Sequence, residues 1–486
     1  MIAVQLNKRD FEYDIHSLIR AFYPGMDVPV YQEGEAEPEG WEKKLVVDYQ
    51  SDQIRLELMD EKGGILEKAQ RDVDYEADRK ATKNVLKSML YEMLRDYTGQ
   101  SLPWGNLTGI RPTKIPMALL EQGWKNTEIA DYMRKTYYTS NEKTALSIMI
   151  ANRERHILKD INYEDGYSLY VGIPFCPSIC LYCSFSSSPL AVWRDKVDMY
   201  LDALCKEIEA CARIYQNRKL DTIYMGGGTP TTLEPYQMDR LLTKIEECFD
   251  RRYLKEFTVE AGRPDSITRE KLEVLRAHGI SRISINPQTM NQKTLDIIGR
   301  RHTVEQTVDA FHLARELGFD NINMDLIVGL PGEEYGQVEH TMKEVTALDP
   351  DSITVHSLAV KRAARLNMFK DQYKEMTFTN NQQIMEMTAR YAYQAGHSPY
   401  YLYRQKNMAG NFENVGYAKP DSAGIYNILI MEEKQSILAL GAGATSKKVT
   451  GELIQRTENV KDIKNYVERI DEMIERKRLL METDSQ

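Results

Sequence analysis

From residue 168 onward the chain repeats one pattern: a short apolar run, a polar break, then apolar positions at helical spacing. The runs are "SLYVGI", "LDTIYM", "EFTVEA", "SRISIN", "NINMDLIVGL" and "SITVHSLA". Helices are expected near 196–213, 236–249, 269–278, 291–298, 304–317 and 335–346. Strands that short, each followed by a crossover, predict a parallel sheet. Six βα units in series predict an α/β fold with a full or partial barrel. In such a barrel the chemistry sits on the loops after the carboxyl ends of the strands.

The flanks read differently. "KKLVVDYQ" and "QIRLELMDEKGGILEKAQ" are strand patterns, with "KGG" as a turn. Helical spacing begins at Asp74 and runs to about Leu94, and shorter helices follow to about Ile161. Beyond residue 366 come a Tyr-rich strand pattern, "YYLYRQ", a strand-like "SILALGAGA" and a charged terminal helix. The expected division is therefore an α+β extension over 1–161, a (β/α)6 core over 162–366 and a small mixed C-terminal domain over 367–486.

Composition narrows the class. A chain of 486 residues exceeds what one core usually serves. Its 42% hydrophobic and 28% charged residues are those of a soluble globular protein. No apolar run approaches the ~18 residues of a membrane span. The start, "MIAVQLNKRDFEYD", lacks a signal peptide's apolar stretch, so a cytoplasmic location is expected. A net charge of −10 argues against a general nucleic-acid binder. Six cysteines do not make a disulfide scaffold in so long a chain.

Three of the six lie in one stretch, "IPFCPSICLYCSFSS", as Cys176-x3-Cys180-x2-Cys183 on the loop after the first core strand. Three unrelated thiols, or part of a structural zinc site, are the plain readings. Structural zinc wants four ligands, and His156, Cys205 and His278 are all remote in sequence. Three thiolates suit a [4Fe–4S] cluster with one iron left open. After the second strand comes "YMGGGTPTTL", whose glycines admit close backbone approach; no Gly-Lys-Ser/Thr follows, so it is not a phosphate loop. Later strands end near Glu260 in "TVEAGRPD", Gln288 in "INPQTM" and Asp325 in "NMDLIVGLPGE", and Arg300 lies in "IIGRRHT". Successive strands thus each bring a polar residue toward one barrel mouth.

The cysteine spacing, with Tyr182 before the third cysteine, resembles the radical S-adenosylmethionine (SAM) superfamily. That resemblance implies a [4Fe–4S] cluster on Cys176, Cys180 and Cys183, SAM at the open iron, and a 5′-deoxyadenosyl radical as the reagent. The order of the other motifs closely resembles the oxygen-independent coproporphyrinogen III oxidases and their relatives, over roughly residues 168–445. It implies SAM contacts at Tyr170, Tyr182, Gly227, Gly228, Thr229, Glu260, Gln288, Arg300, Asp325 and Ile327, with Tyr170, Glu260 and Gln288 as candidate catalytic residues. The extension, with "WGNLTGIRPTK", resembles the longer HemZ-type variant.

The implied activity is that of a radical SAM oxidoreductase in heme biosynthesis. It converts two propionates of coproporphyrinogen III to vinyl groups, giving protoporphyrinogen IX. One or two SAM molecules and a low-potential donor such as flavodoxin or ferredoxin are implied, and no nucleic acid. A substrate with four carboxylates needs cations, and Lys361, Arg362 and Arg365 in "VKRAARL" are candidates, against a solvated basic turn. Tyr401 and Tyr403 either flank a flat macrocycle or pack as strand residues, and Phe412 and Tyr417 occupy the family's C-terminal lid region. Cys205, Cys211 and Cys248 read as buried apolar residues. Two departures stand out. Phe185 replaces a fourth cysteine of the decarboxylating type, and Gly172 replaces a common histidine. Heme chaperones of the family also lack that cysteine, so a heme-binding chaperone and a radical SAM enzyme acting on heme, by methyl transfer or ring opening, stand as alternatives. The extension favours the decarboxylase.

Overall fold

Alternating apolar positions in the first region form a five-stranded sheet. The computed structural model describes residues 1–75, 78–185, 187–359, 364–368, 377–405 and 412–482. It divides into two compact units, Met1–Asn152 and Arg153–Gln486. In the first, β1 (Ile2–Leu6), β2 (Val30–Gln32), β3 (Lys43–Tyr49), β4 (Gln53–Asp60) and β5 (Ile65–Asp72) lie in the order β2-β1-β3-β4-β5. The "KGG" turn joins β4 to β5, where Asp60 accepts from the Lys62 and Gly64 N–H groups. The helix Arg79–Thr98 is capped by Asp78, whose side chain accepts from two backbone N–H groups of the first turn. Three more helices come next, Lys114–Glu121, Asn126–Tyr137 and Asn141–Ile157.

The second unit is built on β6 (Gly166–Ile173), β7 (Phe175–Cys176), β8 (Ser188–Pro189), β9 (Lys219–Gly227), β10 (Glu256–Glu260), β11 (Arg282–Ser284), β12 (Ile322–Val328) and β13 (Ser352–Ser357). The six apolar runs are β6 and β9 to β13. They are parallel neighbours in chain order, as the βα pattern predicts. They read as continuous apolar runs because both faces are covered. The connecting helices, from Val197–Ile214 to Tyr335–Ala347, lie within a few residues of their predicted spans. One shows why such boundaries are legible. Thr303 and Gln306 cap each other's backbone N–H ahead of Val304–Glu316.

Five further strands come from the C-terminal region: β14 (Ser398–Tyr403), β15 (Asn414–Ala418), β16 (Ser436–Leu440), β17 (Thr445–Thr450) and β18 (Leu453–Glu458). They join the same sheet, in the order β14-β15-β13-β12-β11-β10-β9-β6-β16-β17-β18. The fully buried β16 pairs parallel with β6. A buried polar network anchors the chain beyond β16. Glu207 accepts from Lys477 Nζ at 2.6 Å, the Tyr466 hydroxyl at 2.6 Å, Asn459 Nδ2 at 2.8 Å and the Gly441 N–H at 2.8 Å. This ties the terminal helix Ile470–Glu482 and the turn after β16 to the helix Val197–Ile214. Among the described residues no helix is long and apolar enough to cross a membrane.

Candidate functional site

The cysteines lie on the loop between β6 and the helices after it. β7 pairs with β8, so the cysteine stretch leaves and rejoins the barrel at one place. Within it, the Cys183 N–H donates to the Cys180 carbonyl. The glycine loop after β9 lies directly against this segment: the Gly228 N–H donates to Ile173 O and the Thr229 N–H to Phe175 O, both at 2.7 Å. A Cβ on Gly228 would stand 2.5 Å from Phe175 O, so only glycine permits the approach. Gly227 has φ +109, and a Cβ there would stand 3.1 Å from the Tyr170 hydroxyl.

One cleft collects most of the predicted residues. It encloses about 1170 Å³, part of it open to solvent. Cys176, Cys180, Tyr182 and Cys183 line it from the cysteine loop, and Gly227, Gly228 and Thr229 from the glycine loop. Glu260, Gln288, Arg300, Asp325 and Ile327 line it from the later strands and their loops. Tyr170 is not in the lining; it stacks beneath with Tyr224 and Tyr426, at centroid distances of 6.3 and 6.4 Å. Lys361 and Arg362 lie outside the described residues. Arg365 is exposed at the start of a short helix and does not line the cleft. Of the tyrosine pair, Tyr403 lines the cleft while Tyr401 is buried in the sheet; Phe412 and Tyr417 are buried. Cys205 and Cys211 are buried and Cys248 is half-buried.

The electrostatics follow from burial. Desolvation pushes the Glu260 carboxyl up to about 7, and Asp325 adds to the rise; the Tyr224 hydroxyl, 2.5 Å away, and the Gly227 N–H pull it down. Burial also works to raise Asp325, but His356, Asn323 and Thr354 outweigh it and hold the carboxyl below its ordinary value. Burial pushes the Cys183 thiol up to about 11, so a metal held there would have to displace its proton. Gln288 has φ +66, a left-handed conformation. Its backbone is held there by bonds to Asp325 O and from the Ile327 N–H. Strain of this kind concentrates at binding sites.

Three lining residues, Arg263, His356 and Asn414, carried no sequence signal of their own. Arg263, two residues beyond the end of the loop's Ala261, reaches back to Cys180 Sγ at 3.7 Å. Arg300 donates to the carbonyls of Gly262 and Asn286 and to the Tyr182 hydroxyl, and its buried Nε has no partner among the described residues. The far wall is a cross-strand row. His356 on β13 lies 3.8 Å from Asp325 and 3.4 Å from the Tyr403 hydroxyl. Asn414 on β15 pairs with Tyr403 on β14. Asn414 is 1% exposed; its Oδ1 accepts from the Ser357 N–H, and its Nδ2 has no partner among the described residues. Phe185 is 73% exposed at the cleft. Gly172 is hemmed in, since a Cβ would stand 3.2 Å from Leu440 O on β16.

Among the described residues no three His, Cys, Asp or Glu are arranged to hold a metal ion. The three cysteines border a common space, and each sulfur takes a donor: Thr229 Oγ1 at 3.6 Å and the Ser187 hydroxyl on Cys176, Arg263 Nη1 on Cys180 at 3.7 Å, and the Phe185 N–H on Cys183. Such donors suit sulfurs that carry negative charge, as cluster-bound thiolates do.

The chain is similar to known proteins. Residues 170–345 match the Radical SAM superfamily. The chain is 42% identical over 405 residues to the oxygen-independent coproporphyrinogen-III oxidase-like protein HemZ of Bacillus subtilis, covering 82% of this chain and 81% of that one. It is 40% identical over 196 residues to the heme chaperone HemW of the same organism, but that stretch covers only 51% of the chaperone. The solved structure of coproporphyrinogen III oxidase (HemN) from Escherichia coli, a radical SAM enzyme, superposes with a TM-score of 0.53 at 27% identity. The match covers 66% of this chain and 73% of that one.

Proposed function

The chain belongs to the oxygen-independent coproporphyrinogen III oxidase family of the radical SAM superfamily, and on that premise we propose that it decarboxylates the propionates of coproporphyrinogen III to vinyl groups, giving protoporphyrinogen IX without oxygen. The observation that carries this reading is the single cleft. Three cysteines, the glycine loop and the polar ends of four later strands open into one space, and two of its lining residues, Arg300 and Asn414, keep a donor without a partner among the described residues.

The donor set fits the groups the family implies. Cys176, Cys180 and Cys183 would hold a [4Fe–4S] cluster, leaving one position for SAM. When bound, these cofactors supply a carbon-centred radical able to take a hydrogen atom from an unactivated C–H bond. The protein's own part is to bind, orient and exclude water. Gly227, Gly228 and Thr229 let SAM approach the backbone closely. Glu260 and Asp325 offer carboxylate oxygens to its amine and ribose hydroxyls. Arg300, with a spare Nε, offers a charged donor to its carboxylate. Gln288, fixed in its left-handed turn, holds the neighbouring Ile327 in the cleft wall. On the far wall, Asn414 Nδ2 and His356 are suited to a propionate. Loss of the hydrogen from the β-carbon of a propionate releases CO2, and one electron passes to an external acceptor. A low-potential donor such as flavodoxin or ferredoxin, in the reducing cytoplasm, would charge the cluster.

One observation favours a second reading, in which heme is the cargo or the substrate. Phe185 stands exposed at the cleft where the decarboxylating type carries a cysteine, a change the heme chaperones share. The test is an anaerobic product assay by mass spectrometry with reconstituted protein, SAM, a low-potential reductant and coproporphyrinogen III. Loss of one or two CO2 with matching 5′-deoxyadenosine is expected. A loaded cluster that binds SAM yet yields no decarboxylated product would overturn the proposal, and tight heme binding would then select the second reading.

A further inference from the structure

Arg263 has no place in the decarboxylation chemistry, yet it is among the most constrained side chains in the cleft. It is 4% exposed. Asp265 grips one edge of its guanidinium, Nε to Oδ1 at 3.0 Å and Nη2 to Oδ2 at 2.8 Å. Ser178 takes the other edge, Nη1 donating to its carbonyl at 3.3 Å and to its Oγ at 3.2 Å. Held from both sides, Nη1 points at Cys180 Sγ, 3.7 Å away. The three cysteines are therefore unlike. Cys176 takes neutral hydroxyls, those of Thr229 and Ser187, and Cys183 a backbone N–H, that of Phe185, whereas buried Cys180 takes a donor from a buried cation.

We propose that Arg263 is a positioning residue that sets the reduction potential of the cluster, by favouring its reduced form. Reduction adds one electron, delivered by a low-potential one-electron donor. No bond is made or broken, and Arg263 keeps its proton. A fixed cation at a ligand sulfur stabilises the added negative charge, and an N–H···S bond draws electron density from the same sulfur. Both act to raise the potential. Burial strengthens the effect, since water is not there to screen it, while the Asp265 carboxylate on the far edge offsets part of the charge and leaves the N–H···S bond as the local contribution. The inference needs the cluster but not the tetrapyrrole, so it stands or falls apart from the proposed reaction.

The experiment is an anaerobic redox titration of the full chain, reconstituted with iron and sulfide, followed by the electron paramagnetic resonance signal of the reduced cluster. Arg263→Gln is expected to keep its iron and sulfide while its reduced-to-oxidised ratio at a fixed potential falls about tenfold, a midpoint shift of about 59 mV for one electron. Arg263→Lys, which keeps the charge but loses the fork, is expected to shift less. An Arg263→Gln variant with full iron and the parent midpoint would overturn the proposal. So would loss of the cluster from both variants, which would make Arg263 a mere support of the loop.

Discussion

Glu207 and Arg300 are both buried ionic side chains of the same unit, and their partners differ in kind. Every bond Glu207 accepts comes from within the fold: from Lys477, Tyr466, Asn459 and the Gly441 backbone. Arg300 spends its donors on two carbonyls and a tyrosine hydroxyl and, among the described residues, makes no ion pair and keeps an Nε without a partner. The first arrangement is closed and serves stability. The second leaves a donor unused, among the described residues, in a side chain that lines a cleft, as does Asn414. A buried donor left unpaired costs the fold about 1–3 kcal/mol, so its retention beside a cavity points to a ligand that completes it.

The largest expected effect falls on the open side. Cys176→Ala, Cys180→Ala and Cys183→Ala are each expected to abolish the iron–sulfur absorption of anaerobically reconstituted protein, whereas Cys205→Ala keeps it; iron and sulfide analysis decides. On the closed side, Lys477→Met leaves Glu207 buried without its counter-charge. A loss of about 3–5 kcal/mol of unfolding free energy is expected, read by chemical denaturation, and Arg300→Lys should show no such loss. A Lys477→Met protein as stable as its parent would erase the contrast.

Glu260 lies between the two cases, and pH separates its contribution. Its carboxyl is raised from 4.5 to about 7 by burial first, so between those values the folded chain holds a proton that the unfolded chain has released. Stability of the ligand-free protein should therefore fall as pH rises through that window, by about 3 kcal/mol in total, with no further change above it. Glu260→Gln, neutral throughout, is expected to lose this slope; unfolding midpoints at about pH 5 and about pH 8 measure it. The smallest effect is on Arg300. Arg300→Lys keeps a charge but not the fork, and SAM affinity is expected to fall about tenfold with little change in stability. Equilibrium binding checks the first and denaturation the second.

Much of the site was legible because its signals are local. Cys176, Cys180 and Cys183 declare themselves by spacing, Gly227 to Thr229 by composition, and Glu260 and Asp325 by their place at strand ends. The illegible part depends on neighbours remote in sequence. Tyr224 reads as one more residue of an apolar strand, yet its hydroxyl meets Glu260 on the adjacent strand β10. Arg263 reads as a charged turn residue, with Asp265 two positions on as the one hint of its anchoring. His356, Tyr403 and Asn414 become a row only because β15 inserts between β13 and β14, against chain order.

The same division holds for the whole fold. The sequence by itself determined the six βα units, their helices and the cysteine loop, because periodicity, caps and spacing act within a few residues. Only the tertiary structure decided that β16, from the far end of the chain, lies beside β6, and that the C-terminal strands extend both edges of one sheet. Which buried strand covers which edge depends on apolar surface shared between distant segments. Such a choice is made by packing and leaves no pattern in either strand alone.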